Sequence, residues 1–317
     1  MTDSSDSEAP RFARLDHLGL IAFEGTDAQA FLNGQLTSDV QALTPERCQY
    51  GGYCTAKGRL LATFLLWRRA QSFCLQLPAT LREPVQRQLS KFILRSKVTA
   101  SDASAAWVRF GIAGGNVENL LGRILGAVPA ASGEVRHVAN ATVIKLPLDR
   151  YEIAVPAAGA STFEEALVAH GFASSGAELW QRLDIRAGVP VITPATQEEF
   201  VPQMVNLDLI GGVSFSKGCY PGQEIVARMH YLGRVKQRMY RFHADSQDAP
   251  RPAEKLYSAA FGEQACGTIV DAAPAPEGGY DALAVVQIDQ ARDDNLHLRA
   301  ADGPVLKRLE LPYPVAA

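Results

Sequence analysis

The chain has 317 residues, 47% of them hydrophobic and 21% charged, which is ordinary for a folded protein and more than one small core needs, so about two or three domains are expected. Its net charge of -3 gives no global drive toward nucleic acid or an anionic membrane. Five scattered cysteines (Cys48, Cys54, Cys74, Cys219 and Cys266) without a C-x-x-C pair argue against a zinc site, a disulfide framework and a self-contained iron–sulfur cluster.

Residues Met1 to Pro10 are acidic and serine-rich, lack the basic and apolar regions of a secretory signal, and read as a disordered tail. Ala28 to Leu36 reads as a helix with Asp27 as its N-cap, closed by a polar group of Asn33, Gln35, Thr37 and Asp39 for which capping and turn chemistry is sufficient reason. Leu60–Arg69 and Ser72–Leu77 read as paired strands. The longest apolar run, Leu60 to Trp67, is far too short to span a bilayer. Leu81 to Ile93 carries Leu81, Val85, Leu89 and Phe92 at helical spacing, and Lys97 to Ser101 follows as a strand. A similar series comes next: strand Trp107–Ala113, helix Val117–Leu125, a hairpin of Ala141–Leu146 and Tyr151–Val155, and helix Thr162–His170. Two ferredoxin-like α+β units are therefore expected, with a further helix over Ala177–Ala187.

Beyond residue 236 short apolar stretches such as Gly267–Val270 and Ala282–Val286 alternate with Pro- and Gly-rich breaks, as in a small β-barrel or sandwich. The predicted division is a tail at 1–10, an α+β region at 11–235 split near 102, and a barrel domain at 236–317.

The most informative segment is Ser214-Phe-Ser-Lys-Gly-Cys-Tyr-Pro-Gly-Gln-Glu224. Pro221-Gly222 is a strong turn signal, and the residues from Gln223 start either a short helix or a strand. A helix there sets Cys219 near its positive end with Lys217 close by, and both features lower a thiol pKa. The competing reading makes Cys219 a small buried hydrophobe, but Lys217, Gln223, Glu224 and Arg228 crowd one glycine-bearing turn, which is where sites tend to lie. Arg228, Arg234, Lys236, Arg238 and Arg241, interleaved with aromatic residues, suit a nucleic acid, an anionic ligand tail, or a solvated strand pair. The acidic overall balance argues against direct nucleic-acid binding. Scattered histidines without an H-x-x-x-H pattern argue against a metal site.

Lys217 to Glu224 resembles the K-G-C-Y-x-G-Q-E signature of the YgfZ family, folate-binding relatives of the glycine-cleavage T-protein. Gly25-Thr26-Asp27-Ala28 with Phe31 to Val40, Lys57-Gly58-Arg59, Ser96-Lys97-Val98, and Phe200-Val201-Pro202-Gln203 with Asn206-Leu207-Asp208 also resemble family segments, over residues 15 to 245. The resemblance implies a three-domain ring with a central folate channel, tetrahydrofolate or a derivative as ligand, and a cytoplasmic role in assembling or repairing iron–sulfur enzymes, including those that modify tRNA. Those client enzymes would be its partners. The functional residues it implies are Cys219 and Lys217, with Asp184, Arg186, Gln203, Asn206, Tyr220, Gln223, Glu224, Arg228 and Arg234 around the ligand. The T-protein keeps a pterin-holding glutamate in an R-x-E-A-G pattern where this chain has Arg186, which cannot accept the pterin's N–H donors. Either Asp184 substitutes or the ring is held differently. A one-carbon or aminomethyl transferase is the second reading and a non-catalytic client-docking module the third.

Overall fold

A computed structural model describes residues 9–291 and 296–315, so most of the expected Met1–Pro10 tail lies outside the described residues. The chain runs β1 (Arg11–Arg14), β2 (Leu18–Glu24), α1 (Ala28–Asn33), β3 (Cys48–Cys54), β4 (Leu60–Arg69), β5 (Ser72–Pro78), α2 (Ala79–Ser90), β6 (Thr99–Asp102), β7 (Trp107–Ala113), α3 (Val117–Leu125), β8 (Val135–Val138), β9 (Ala141–Leu146), β10 (Arg150–Pro156), α4 (Ala160–Ala169), β11 (Ala173–Ser175) and α5 (Ala177–Arg186). An irregular stretch then leads to α6 (Gln223–Tyr231), followed by β12 (Gln237–Ala244), β13 (Lys255–Tyr257), β14 (Gly267–Pro274), β15 (Tyr280–Gln287), β16 (Leu296–Leu298) and β17 (Val305–Leu309). This is an α+β protein with two open sheets and a closed six-stranded barrel. No helix among the described residues is long and apolar enough to cross a membrane.

Two units divide the chain. The first draws on Met1–Phe31, Gln41–Gln49 and Leu65–Trp180, the second on Leu32–Val40, Tyr50–Phe64 and Gln181–Ala317. In the first, a six-stranded sheet has the order β11-β1-β7-β10-β9-β8. Strand alternation sends Phe110 and Ile112 of β7 to one face, where Tyr151, Ile153, Val117, Leu121, Phe163 and Leu167 complete an apolar core under α3 and α4. The alternate residues, Arg109 and Gly111, face the other way, and Gly111 lies directly beneath the Trp180 ring. The five-stranded sheet, order β3-β4-β5-β2-β6, is covered by α2, which buries Leu81, Val85 and Leu89.

Five strands of these sheets, β1, β2, β3, β8 and β11, were not anticipated from the sequence. β2 is almost wholly buried, but Gly19 interrupts its apolar run and weakens the strand signal. β3 carries Gly51-Gly52, poor strand formers taken by themselves. Each is required by a close approach: a Cβ at Gly51 would strike the Phe64 ring, and one at Gly52 would come within 2.6 Å of Leu60.

In the second unit the barrel closes in the order β12-β15-β14-β13-β16-β17. Tyr240, Phe242, Leu256, Ile269, Ala284, Val286 and Leu298 fill it. The irregular stretch at 187–222 buries Phe200, Val201, Val205 and Leu207, so its backbone polar groups need partners inside the protein. The Thr63 hydroxyl donates to Pro190 O and accepts from Ile192 N, at 2.8 and 3.0 Å. Leu60 N donates to Phe200 O, Glu198 N to Leu60 O, and Gln197 Nε2 to Leu61 O, each at 2.8 Å. Asn206 Nδ2 donates to Met239 O at 2.7 Å, tying the stretch to the first barrel strand.

Candidate functional site

The segment from Gln223 is a helix, α6, capped by Gly222 in the left-handed region at φ 83°. Glycine is required at this cap for two reasons. Positive φ strains other residues, and a Cβ would sit 2.5 Å from Thr55 O and 2.6 Å from Gly58 Cα. Lys57-Gly58-Arg59 is itself a tight turn, with Gly58 N donating to Thr55 O at 2.9 Å and Thr55 N to Arg59 O at 2.8 Å. Two glycine turns far apart in sequence therefore interlock by backbone contact.

Lys217 supplies the second fastening. Its Nζ donates to Asn33 O, Leu36 O and Ser38 O at 2.5, 2.8 and 2.8 Å. An ammonium has only three protons, so all are spent on main-chain carbonyls and none remains for a hydrogen bond to a Cys219 thiolate. Burial pushes Lys217 down from 10.5 to about 8, against the opposing pull of Asp39. Its Nζ also lies 5.3 Å from the centre of the Tyr220 ring. Tyr220 is buried, which pushes its phenol pKa up. Thr37 adds a third tie: its hydroxyl donates to Gly212 O at 2.6 Å and accepts from Gly52 N at 2.7 Å.

On this fastened turn Cys219 is exposed, whereas Cys54, Cys74 and Cys266 are buried. The buried-turn reading of Cys219 is therefore not what the fold adopts. Burial pushes the Cys54 and Cys74 thiols up to about 12, leaving them inert near neutral pH. Gln223 Nε2 reaches Lys217 O at 3.4 Å, and Glu224 is exposed in the first turn of α6. Gln203 Nε2 donates to Val226 O at 2.7 Å, bracing α6 from beneath. The carbonyl oxygens of the Gln203 and Asn206 side chains and the Tyr220 hydroxyl are buried without a protein partner.

Asp184 and Arg186 stand in the last turn of α5. Asp184 contributes to the field around Asp271, a buried carboxylate at the bulge of β14. Burial pushes Asp271 up to about 7, although Gln181 Nε2 at 2.7 Å and Ala272 N at 2.9 Å both favour its charged form.

The basic run divides. Arg238 makes a forked pair with Asp208 at 2.7 and 3.0 Å and also donates to Gln203 O at 2.7 Å. Arg241 pairs with Asp281 at 2.9 Å. Of the other cations, Arg228 and Arg234 are exposed. On the same stretch the His230 ring stacks on Phe215 at 3.8 Å between centroids. Internal pairing of Arg238 and Arg241 was not expected, because the acids that meet them lie 30 and 40 residues away in the chain.

Residues 12–210 match the family model described as the GCVT N-terminal domain. Curated relatives extend the likeness across the barrel. The "tRNA-modifying protein YgfZ" of Sodalis glossinidius (strain morsitans) is 30% identical over 95% of this chain and 92% of its own length. That of Serratia proteamaculans (strain 568) is 31% identical with the same coverage.

The chain belongs to the YgfZ family.

The crystal structure of glycine cleavage system aminomethyltransferase T from Bartonella henselae superposes with a TM-score of 0.80, covering 97% of this chain and 87% of the other. At 17% identity that likeness shows a shared fold. Those of the YgfZ-like segments that lie in the second unit meet around one turn: Asn33–Ser38 receives Lys217, Lys57–Arg59 locks Gly222, and Gln203 braces α6. In the sequence, capping and turn chemistry is sufficient reason for Asn33, Thr37 and their neighbours. Their role as acceptors for Lys217 and Gly52 rests on backbone carbonyls and one hydroxyl, which no side-chain pattern announces.

Proposed function

We propose that the protein binds tetrahydrofolate or a derivative and supports assembly or repair of iron–sulfur enzymes, including tRNA-modifying ones, with Cys219 as its reactive group. The observation that carries this reading is an exposed cysteine on a turn immobilised by interlocked glycines and by the Lys217 carbonyl cradle. A rigid frame under an accessible thiol suits chemistry or client contact better than core packing. The name of the curated relatives, tRNA-modifying protein, agrees with such clients.

The second unit offers groups that fit a reduced folate. A pterin edge presents N–H donors, and Asp184, Gln203 Oε1 and Asn206 Oδ1 are acceptors, the last two buried without a protein partner. Tyr220, Gln223 and Glu224 are further polar groups of the same unit, and exposed Arg228 and Arg234 suit the carboxylates of a glutamate tail. Bound there, tetrahydrofolate would supply one-carbon or redox chemistry. Arg186 offers no acceptor, so aminomethyl transfer is not part of this reading. Lys217 holds the turn and Cys219 is exposed, and a reducing, cytoplasmic setting would keep such a thiol free.

Calorimetry with tetrahydrofolate tests the ligand. A saturable, salt-sensitive site is expected, weakened in Arg234→Gln. No heat at millimolar ligand would remove the folate reading.

A further inference from the structure

The first unit carries a pocket of about 430 Å³ beside β2 and β7, remote in sequence from every residue of the Cys219 turn. Arg109 lines it. This side chain is 4% exposed, donates Nη2 to Leu18 O at 2.5 Å, and leaves Nε and Nη1 without a partner. Buried guanidinium N–H groups left unpaired are costly, so the fold holds a cation here in a state that an anion would relieve. Burial lowers the pKa of Arg109, and Glu152, Asp16 and Asp102 oppose the shift.

Arg82 lines the same pocket, and a glycine brings it there. Gly19 stands inside β2, where a Cβ would meet Arg82 Cβ at 2.6 Å and Cγ at 2.8 Å. Any other residue would push the arginine stem off the strand. The twelve-residue helix α2, which carries Arg82, begins at Ala79 on the pocket's edge, where Ala79 N donates to His17 O at 2.9 Å. The pocket thus collects two guanidinium groups.

Two carboxylates also line it. Asp102 is already fastened, accepting from Ser104 N at 2.9 Å and facing Arg82 at 3.3 Å. Asp16 is exposed. A fully deprotonated anion would be repelled by Asp16. A phosphate that keeps a proton donates its P–O–H to that carboxylate while its other oxygens accept from arginine.

We propose that this pocket binds a protonated phosphate group, with Arg82 and Arg109 taking its oxygens and Asp16 accepting its P–O–H. Free phosphate and the end of a phosphate monoester share this chemistry.

The test measures unfolding temperature of the full chain at pH 6.5 and fixed ionic strength against inorganic phosphate, glycerol phosphate and sulfate. Phosphate or the monoester should raise it saturably, and whichever binds more tightly identifies the source. Sulfate, unprotonated at this pH, should not. Arg82→Gln, whose folding is checked by its own transition without ligand, should raise the dissociation constant at least tenfold. Asp16→Asn, an exposed change, should admit sulfate. The proposal fails if neither phosphate compound gives a saturable rise, if sulfate matches phosphate in the unmutated chain, or if both variants bind as the unmutated chain does.

Discussion

Lys217 on the cysteine turn and Arg238 on the first barrel strand are both cations drawn into the second unit, yet they are held in different ways. Arg238 meets a carboxylate: its fork matches Asp208, and both side chains are close to nine-tenths buried. Lys217 gives its three protons to carbonyl oxygens, and although Asp39 pulls the other way its pKa falls to about 8. A carboxylate returns much of the cost of desolvating a cation, whereas neutral dipoles return less. The barrel strand is built for stability, while the cysteine turn accepts the burial cost of its lysine in exchange for fixing three carbonyls at once.

The largest expected effect comes from breaking the ion pair. Arg238→Met leaves Asp208 buried and unpaired, which costs about 3–5 kcal/mol in denaturant unfolding. The double variant Arg238→Met with Asp208→Asn should recover a large part of that loss. An equal loss in both would mean the pair is not what stabilises the strand.

Gly222→Ala comes next. It forces a Cβ against Thr55 O and Gly58 at positive φ, and backbone strain of this kind costs about 1–3 kcal/mol. Lys217→Met should cost about 2 kcal/mol, since the lost charge-assisted hydrogen bonds are partly offset by removing a desolvated cation.

The comparison sharpens with pH. Lys217 titrates near 8 in the folded chain and 10.5 when unfolded, so between those values the unfolded state binds more protons. Stability therefore gains a rising contribution from pH 8 to 10.5, and Lys217→Met should lack it. Asp271 acts with the opposite sign in another window. Its folded pKa is raised from 3.8 to about 7, so its contribution is full in acid and lost as pH climbs to 7. Subtracting the stability-against-pH curve of Asp271→Asn from that of the unmutated chain should isolate this fall.

Much of the fold could be read in advance where one signal dominated. β7 and α3 lie at the expected residues because Trp107–Ala113 is an apolar run and Val117–Leu125 an amphipathic one, separated by glycines. β2 and β3 escaped because their glycines serve contacts with Arg82, Phe64 and Leu60, which exist only once the sheet has formed. At the site, the polar crowding around Cys219 marked the right turn, but the use of Lys217 did not follow from it. The thiol seemed the natural partner for a lysine two residues away. The actual acceptors are main-chain oxygens about 180 residues distant, which any sequence would supply. The barrel arginines looked free for a ligand for a related reason, since their acids are remote in the chain.

The smallest stability effect is also the most informative. Cys219 is exposed, so Cys219→Ala should change folding stability by less than about 0.5 kcal/mol. The decisive measurement is iron–sulfur enzyme activity, with tRNA-modifying enzymes included, in cells whose own copy is replaced by Cys219→Ala at matched protein level. Activity should fall to that of cells lacking the protein while the melting temperature stays within a few degrees. Full activity from that variant would contradict a reactive cysteine at the centre of this protein's function.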